Sequence, residues 1–211
     1  MANRFYTERV LRSLQHDKPL GTVVILNGPP GSGKDTLAEI LASETSLTKM
    51  AFKDELYEIT AKYFGVPYDE LVERASDRLL KETGWDRLVL DVVDNYSWML
   101  TPREALIFVS ERVYKPAHGE DYFGRAAVSR CIDRKAYHVV FSDGGFTSET
   151  EIIQKNCENL YIFHLVRDGF TFEGDSRDYV RGFANTYTIN LIDGVPWRAI
   201  TAIKAIVGHT L

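Results

Sequence analysis

The chain is short of the residues that mark several large functional classes. Two cysteines occur in 211 residues, Cys131 and Cys157, far apart and outside any metal-ligand spacing. Buried free thiols in a reducing compartment are the expectation, not a disulfide framework. The five histidines, His16, His118, His138, His164 and His209, are scattered, and no Ser/His/Asp or metal-binding pattern forms around them. His138 and His164 fall inside predicted strands, where a hydrogen-bonded core histidine is the usual explanation. A basic excess is also missing. The formal charge of −5 gives no global basic footprint, which disfavours extended nucleic-acid binding without excluding a local patch. No apolar run approaches membrane-spanning length, and Met1 to Lys18 is polar with no apolar signal core. These absences lead to the expectation of a cytoplasmic protein with no membrane partner. Repeats and low-complexity tracts are absent too.

What remains is ample for a core: 45% hydrophobic and 12% aromatic residues, in a length that suits one domain or one core with a small inserted lobe. The informative stretch is Gly28-Pro29-Pro30-Gly31-Ser32-Gly33-Lys34-Asp35-Thr36. It follows the apolar run Thr22 to Leu26 and precedes the helical pattern Leu37, Ala38, Ile40, Leu41. Strand, glycine-rich turn and helix are the context in which G-x-x-x-x-G-K cradles phosphate. Gly28, Gly31 and Gly33 permit positive φ and close approach, so backbone N–H groups around Pro30 and Ser32 can face a phosphate chain. The helix adds unpaired N–H groups and the positive end of its dipole. Lys34 supplies a mobile cation for the β and γ phosphates. The expected ligand is a nucleoside triphosphate. After Lys34 the usual Ser or Thr is replaced by Asp35, with Thr36 next. Mg²⁺ is then expected near Asp35 and Thr36, held largely through water and the triphosphate.

The rest of the chain alternates strands and helices, which predicts a central parallel sheet with helices on both faces. A short helix is expected over Phe5 to Gln15, and a second strand over Thr48 to Phe52. A helix that stops at Gly65-Val66-Pro67 follows. Tyr68 to Leu100 reads as mixed and mainly helical; Leu88 to Asp94 is taken as an amphipathic helix or irregular segment rather than a strand. Packing is the expected role of Trp85, Tyr96 and Trp98. Thr101-Pro102-Arg103-Glu104 is a helix start running to about Tyr114, with a break from Pro116 to Glu120. Then come a helix over Asp121 to Arg134, a strand from Tyr137 to Phe141, a helix from Ser148 and a strand from Leu160 to Val166. A polar loop from Arg167 to Asn185, a strand from Tyr187 and a helix from Trp197 to Val207 close the chain. The fold class is α/β: a three-layer P-loop NTPase fold with a central parallel sheet, a helical substrate-binding insertion and a lid loop. The boundaries assigned are a core over 20–65 and 101–211, a helical lobe over 66–100 and a lid over 167–186.

Asp143 ends an apolar strand, as a Walker B acid does, at the strand end where ligand crevices form. It is placed to orient Mg²⁺-bound water or accept a hydrogen bond from a sugar. Phosphoryl transfer also needs cations around the donor and acceptor phosphates. Arg103, Arg167, Arg177 and Arg181 are candidates, the last two in the lid. Lys53 is placed for an acceptor phosphate. The pair Gly144-Gly145 indicates close backbone approach to some other group.

Taken together, these pieces resemble the bacteriophage-type deoxynucleoside monophosphate kinases, a branch of the P-loop nucleotide kinases. The matching stretches are Ser32 to Thr36, Ala51 to Leu56, Thr101 to Glu104, Ser142-Asp143 with Phe146 and Glu149, Leu165 to Arg167, and Ile189-Asn190 with Gly194. They occur in the family's order over most of the chain outside 66–100. The resemblance implies transfer of the γ-phosphoryl of ATP to a (deoxy)nucleoside 5′-monophosphate, with Mg²⁺. Lys34 and the loop amides would hold the donor, with Arg177 beside them. Lys53, Arg103, Asp143 and Arg181 would face the acceptor, and Arg167 would lie against the transferring group. Small-molecule nucleotides are the implied partners, and a homodimer is left open; for a phage protein the compartment is the host cytoplasm. The departure is Gly145, where the family often carries an arginine in a D-x-R-F run. Two alternatives stand beside this reading: a kinase of another small metabolite or of a nucleic-acid 5′ end, and a nucleotide-binding regulator without catalysis.

Overall fold

The computed structural model describes residues 18–92, 96–175 and 177–208. The helix expected over Phe5 to Gln15 lies outside them. In chain order the elements are β1 (Leu20–Asn27), α1 (Lys34–Glu44), β2 (Thr48–Met50), α2 (Lys53–Phe64), α3 (Tyr68–Ser76), a 3-10 turn (Leu80–Glu82), β3 (Val89–Val92), β4 (Tyr96–Met99) and α4 (Pro102–Phe108). A π-helical segment (Val109–Tyr114), α5 (Lys115–His118), α6 (Tyr122–Asp133), β5 (Val139–Gly144), α7 (Thr147–Asn156), β6 (Cys157–Val166), β7 (Thr186–Asn190) and α8 (Pro196–Val207) follow. The chain divides into two compact units, one made of the residues up to Phe52 and from Gly124 onward, the other of Lys53–Phe123.

In the first unit five parallel strands pair in the order β2-β5-β1-β6-β7. β1 is central, and Thr22 through Asn27 are all buried. A strand covered on both faces reads as an unbroken apolar run, which is why Thr22 to Leu26 gave it away. Successive side chains point to opposite faces. Val23 and Ile25 join Val139, Phe141 and Ile162 under Ala127, Val128 and Cys131 of α6 and Ile152 and Ile153 of α7. Val24 and Leu26 join Val140, Phe163 and Leu165 under Leu37 and Leu41 of α1 and Ile200, Ile203 and Val207 of α8. The result is the expected three-layer α/β architecture. Neither cysteine forms a disulfide and both are buried, and burial pushes the Cys157 thiol up to about 12, so it is an inert packing group.

The second unit has its own small core of Ala61, Val66, Leu71, Trp85, Leu88, Leu100 and Ala105. Here the sequence reading needs correction. Of the segment Leu88 to Asp94, Val93 and Asp94 lie outside the described residues and the rest is not helical: β3 and β4 form an antiparallel ribbon with Val89 opposite Met99 and Leu90 opposite Trp98. Trp85 N–H donates to Leu100 O at 2.9 Å and Leu100 N–H to Leu88 O at 2.8 Å, closing the base of the ribbon. Trp85 packs as expected, its ring flanked by the guanidinium carbons of Arg74 at 4.6 Å and Arg87 at 5.7 Å. Trp98, expected to pack, is 63% exposed on the ribbon. The Tyr96 side chain lies outside the described residues.

The helix start at Thr101 is a full capping box. Thr101 Oγ1 accepts from Glu104 N–H at 3.1 Å and Glu104 Oε2 accepts from Thr101 N–H at 2.8 Å. The break expected over Pro116 to Glu120 begins only at Gly119, which caps the helix. α4 passes into the π-helical segment, and Pro116 sits in the first turn of α5, where its missing N–H costs little.

Candidate phosphate-binding site

The site grows out of the carboxyl ends of β1, β5 and β6. β1 delivers Asn27 to the sheet edge, and the chain turns through Gly28–Gly33 into α1. Gly31 and Gly33 take φ of +76° and +101°, left-handed values that strain any residue with a Cβ. Gly28 is required for space: a Cβ there would lie 2.8 Å from the Leu165 carbonyl oxygen of β6. These two demands explain the glycine spacing and leave backbone N–H groups lining the turn.

Two side chains fit the loop to an anion. Ser32 is 1% exposed, and its Oγ is buried with no hydrogen-bond partner among the described residues. A buried hydroxyl of this kind is costly unless a ligand satisfies it. Lys34 is 7% exposed, and its Nζ donates to Gly28 O and Pro29 O, both at 2.6 Å. Burial pushes the Lys34 ammonium down to about 8, helped by the Arg177 charge and opposed by Asp35, Asp143 and Asp175. A phosphate chain would restore what burial removes. Pro30 and Gly31 are exposed at the crest of the loop, and Asp35 and Thr36 are exposed on the first turn of α1.

Asp35 is tied into the sheet edge: Ser142 Oγ donates to its Oδ1 at 2.8 Å, and Lys49 Nζ lies 3.3 Å from the same oxygen. Asp143, 8% exposed at the end of β5, accepts the Phe52 N–H at 2.9 Å and contributes to the field at Lys34. Among the described residues no group of three or more His, Cys, Asp or Glu side chains is arranged to hold a metal ion.

The predicted arginines fall differently. Arg167 Nη1 donates to Gly31 O at 3.3 Å, while its Nε donates to Asp193 Oδ1 at 2.7 Å, so it lies against the crest of the loop. Arg177 is clamped by Asp175, with Nε to Oδ1 at 2.9 Å and Nη2 to Oδ2 at 2.8 Å; this pairing raises its pKa further and keeps it charged. Arg181 is exposed, and its charge helps depress the His164 imidazolium, which burial lowers most. Lys53 opens α2 and Arg103 lies on α4, where its Nη1 donates to Glu82 Oε1 at 2.9 Å; both belong to the second unit. The first unit therefore gathers Lys34, Asp35, Asp143, Arg167 and Arg177 around one loop.

Sequence reading missed Asn27, and it named Ser142 only within the Ser142-Asp143 stretch, without the bond to Asp35. Asn27 is fully buried; its Nδ2 donates to Gly144 O at 3.0 Å and Asp178 O at 3.1 Å, and its Oδ1 accepts from Val180 N–H at 2.8 Å. A polar residue ending an otherwise apolar strand next to a glycine loop was the available signal. The expected histidine roles are met in part: His138 Nδ1 accepts the Thr22 N–H at 3.2 Å and His164 Nε2 lies 2.8 Å from Val180 O, though both rings are only half-buried.

No family model matches the chain. A 70-residue stretch, 33% of the chain, is 40% identical to a cytidylate kinase of Ignicoccus hospitalis and spans 40% of that protein's length. Among solved structures, an unliganded sugar kinase from Janibacter sp. aligns over 90% of this chain and 95% of its own, at 15% identity and a TM-score of 0.40. At that score the likeness bears on neither fold nor activity. Of the described residues, no helix is long and apolar enough to cross a membrane.

Proposed function

We propose that the protein is a phosphotransferase that moves the γ-phosphoryl of ATP to a small acceptor, a (deoxy)nucleoside 5′-monophosphate. The observation that carries this reading is the buried Lys34 in a left-handed glycine loop between a central parallel strand and a helix N-terminus. The local 40% identity to a cytidylate kinase supports a nucleotide acceptor.

Each residue then has a task. The amides of Gly31 to Thr36, the Ser32 hydroxyl and the Lys34 ammonium hold the donor phosphates. Arg167 and Arg177 offset charge that spreads over the transferring oxygens. ATP supplies the phosphoryl group and brings Mg²⁺ with it; Asp35 and Thr36 would hold the ion's water shell, and Asp143 would orient it or the acceptor. Lys53, Arg103 and Arg181 are the acceptor-side candidates.

The test is a product assay with ATP, Mg²⁺ and a panel of ribo- and deoxynucleoside monophosphates. The expected result is a nucleoside diphosphate from at least one acceptor, abolished in Lys34→Ala. Failure of every monophosphate to accept phosphate would sink the proposal.

A further inference from the structure

Gly145 follows directly after β5. It is not one of the left-handed glycines, so its missing side chain is demanded by space and not by backbone conformation. What occupies that space is Arg177. A Cβ at position 145 would lie 2.7 Å from Arg177 Cβ and 2.9 Å from its Cγ and Cδ. The stem of Arg177 thus rests directly on the Gly145 backbone.

The same segment is fastened at four further points. Asp175, whose side chain is 6% exposed, grips the guanidinium in the two-pronged geometry that fixes its plane, and its Oδ1 also takes the Arg177 N–H at 3.0 Å. Asp178 N–H donates to Gly145 O at 3.3 Å. Asn27, the residue immediately before the glycine loop, binds Gly144 O, Asp178 O and Val180 N–H with one buried amide, and Val180 is itself 1% exposed in the sheet core. Tyr179 adds a hydroxyl bond to Leu165 O at 2.9 Å. A closing lid needs few buried contacts and exposed backbone hydrogen bonds. Residues 177–180 have instead a buried Val180 and hydrogen bonds to Asn27, Gly145 and Leu165 that hold them to the sheet edge.

We propose that Arg177 is a built-in phosphate ligand of the glycine-loop site, held as a fixed wall and not as a lid residue, with Gly145 and Asn27 as the positioning residues that seat it. Asp175 uses one edge of the guanidinium, and the remaining N–H donors serve an oxyanion such as a tri- or polyphosphate. The glycine at 145 is therefore the seat of a cation delivered from another part of the chain. This rests on the reading of the loop as a phosphate cradle.

The experiment is titration calorimetry of ATP and of inorganic tripolyphosphate against the wild type, Lys34→Ala, Arg177→Ala, Gly145→Ala and the double variant Gly145→Ala/Arg177→Ala. Arg177→Ala is expected to weaken both ligands about 10-fold or more. Gly145→Ala keeps every charge yet should weaken them by a similar factor, because its methyl group displaces the arginine. In the double variant the penalties should not multiply, since residues acting through one contact are coupled. A merely structural glycine would add its penalty to that of the arginine. Multiplying penalties, or a Gly145→Ala protein that binds as the wild type does, would overturn the inference while Lys34→Ala still abolishes binding. If the wild type takes up neither ligand, or Lys34→Ala binds both normally, the phosphate-cradle reading falls and this inference falls with it. Should Gly145→Ala fail to fold, Asp175→Asn loosens the clamp without adding volume. It is expected to weaken tripolyphosphate several-fold, and an unchanged affinity would count against the proposal.

Discussion

In the proposed site the glycine loop and the 177–180 segment form two walls, built on opposite plans. The loop is local. Nine consecutive residues carry the turn, the left-handed glycines, the orphan hydroxyl of Ser32 and the cation of Lys34. The second wall is assembled from distant pieces: the Val180 to Asn27 bond spans 153 residues, and the Asn27 to Gly144 bond spans 117. The loop leaves the Ser32 hydroxyl in want of a partner, whereas the second wall is pinned by bonds within the protein, with part of the Arg177 guanidinium left for a ligand. A site can thus combine a part that responds to ligand with a part that is already in place.

Removing the centre of the first wall should have the largest effect. Lys34→Ala is expected to lower phosphoryl transfer on the order of 10²–10³-fold or more, by analogy with loss of a single charge-stabilising donor, read in the diphosphate assay. Breaking the second wall should cost stability as well as affinity. Asn27→Ala strands the Val180 N–H and the Gly144 and Asp178 carbonyls, and at about 1–3 kcal/mol for a buried polar group left unpaired a destabilisation of about 2–3 kcal/mol is expected in urea unfolding. Lys34→Ala also leaves the Gly28 and Pro29 carbonyls without their donor, but it removes an ammonium that burial disfavours, so its loss should be smaller, which separates the ligand-facing wall from the pinned one.

A smaller effect comes from protons. The Lys34 ammonium titrates near 8 in the native chain against 10.5 when exposed. Between those values the unfolded chain binds the proton that the native chain has released, so the Lys34 contribution to stability rises with pH across that window. Binding runs the other way. A phosphate chain favours the charged form, so ATP binding near pH 8.5 should take up protons and weaken as pH rises further. Calorimetry in two buffers of different ionisation enthalpy measures the uptake, and Lys34→Met should abolish it. The smallest effect is a control in the second unit. Thr101→Ala removes the capping box of α4 and should cost about 1 kcal/mol, with ATP affinity unchanged.

The same contrast explains what could be read from the sequence. β1, the loop and α1 were legible because their signals are contiguous: an apolar run, glycines at fixed spacing, then helical periodicity. The capping box at Thr101 was legible for the same reason. The β3–β4 ribbon was not, because the strand-like run Leu88 to Asp91 continues without a glycine break, and its pairing comes from Met99 and Trp98. Gly144 and Gly145 were rightly read as close approaches. The partners, the Ile25 side chain and the Arg177 stem, come from 119 positions upstream and 32 downstream and leave no local trace. Gly145 looked like a missing cation, yet it is the space that lets Arg177 lie there. Arg177 was expected in a mobile lid because a polar loop between strands shows nothing of the buried Asn27 that pins it.

Backbone amide hydrogen exchange of the whole chain, with and without ATP, tests most directly the claim that one wall responds to ligand and the other is already built. The account predicts that the Val180 amide exchanges slowly in the free protein and barely changes on adding ATP, while the amides of Gly31 to Thr36 become strongly protected. Rapid exchange at Val180 that slows only with ATP would mean that the segment closes as a lid, and would contradict the account.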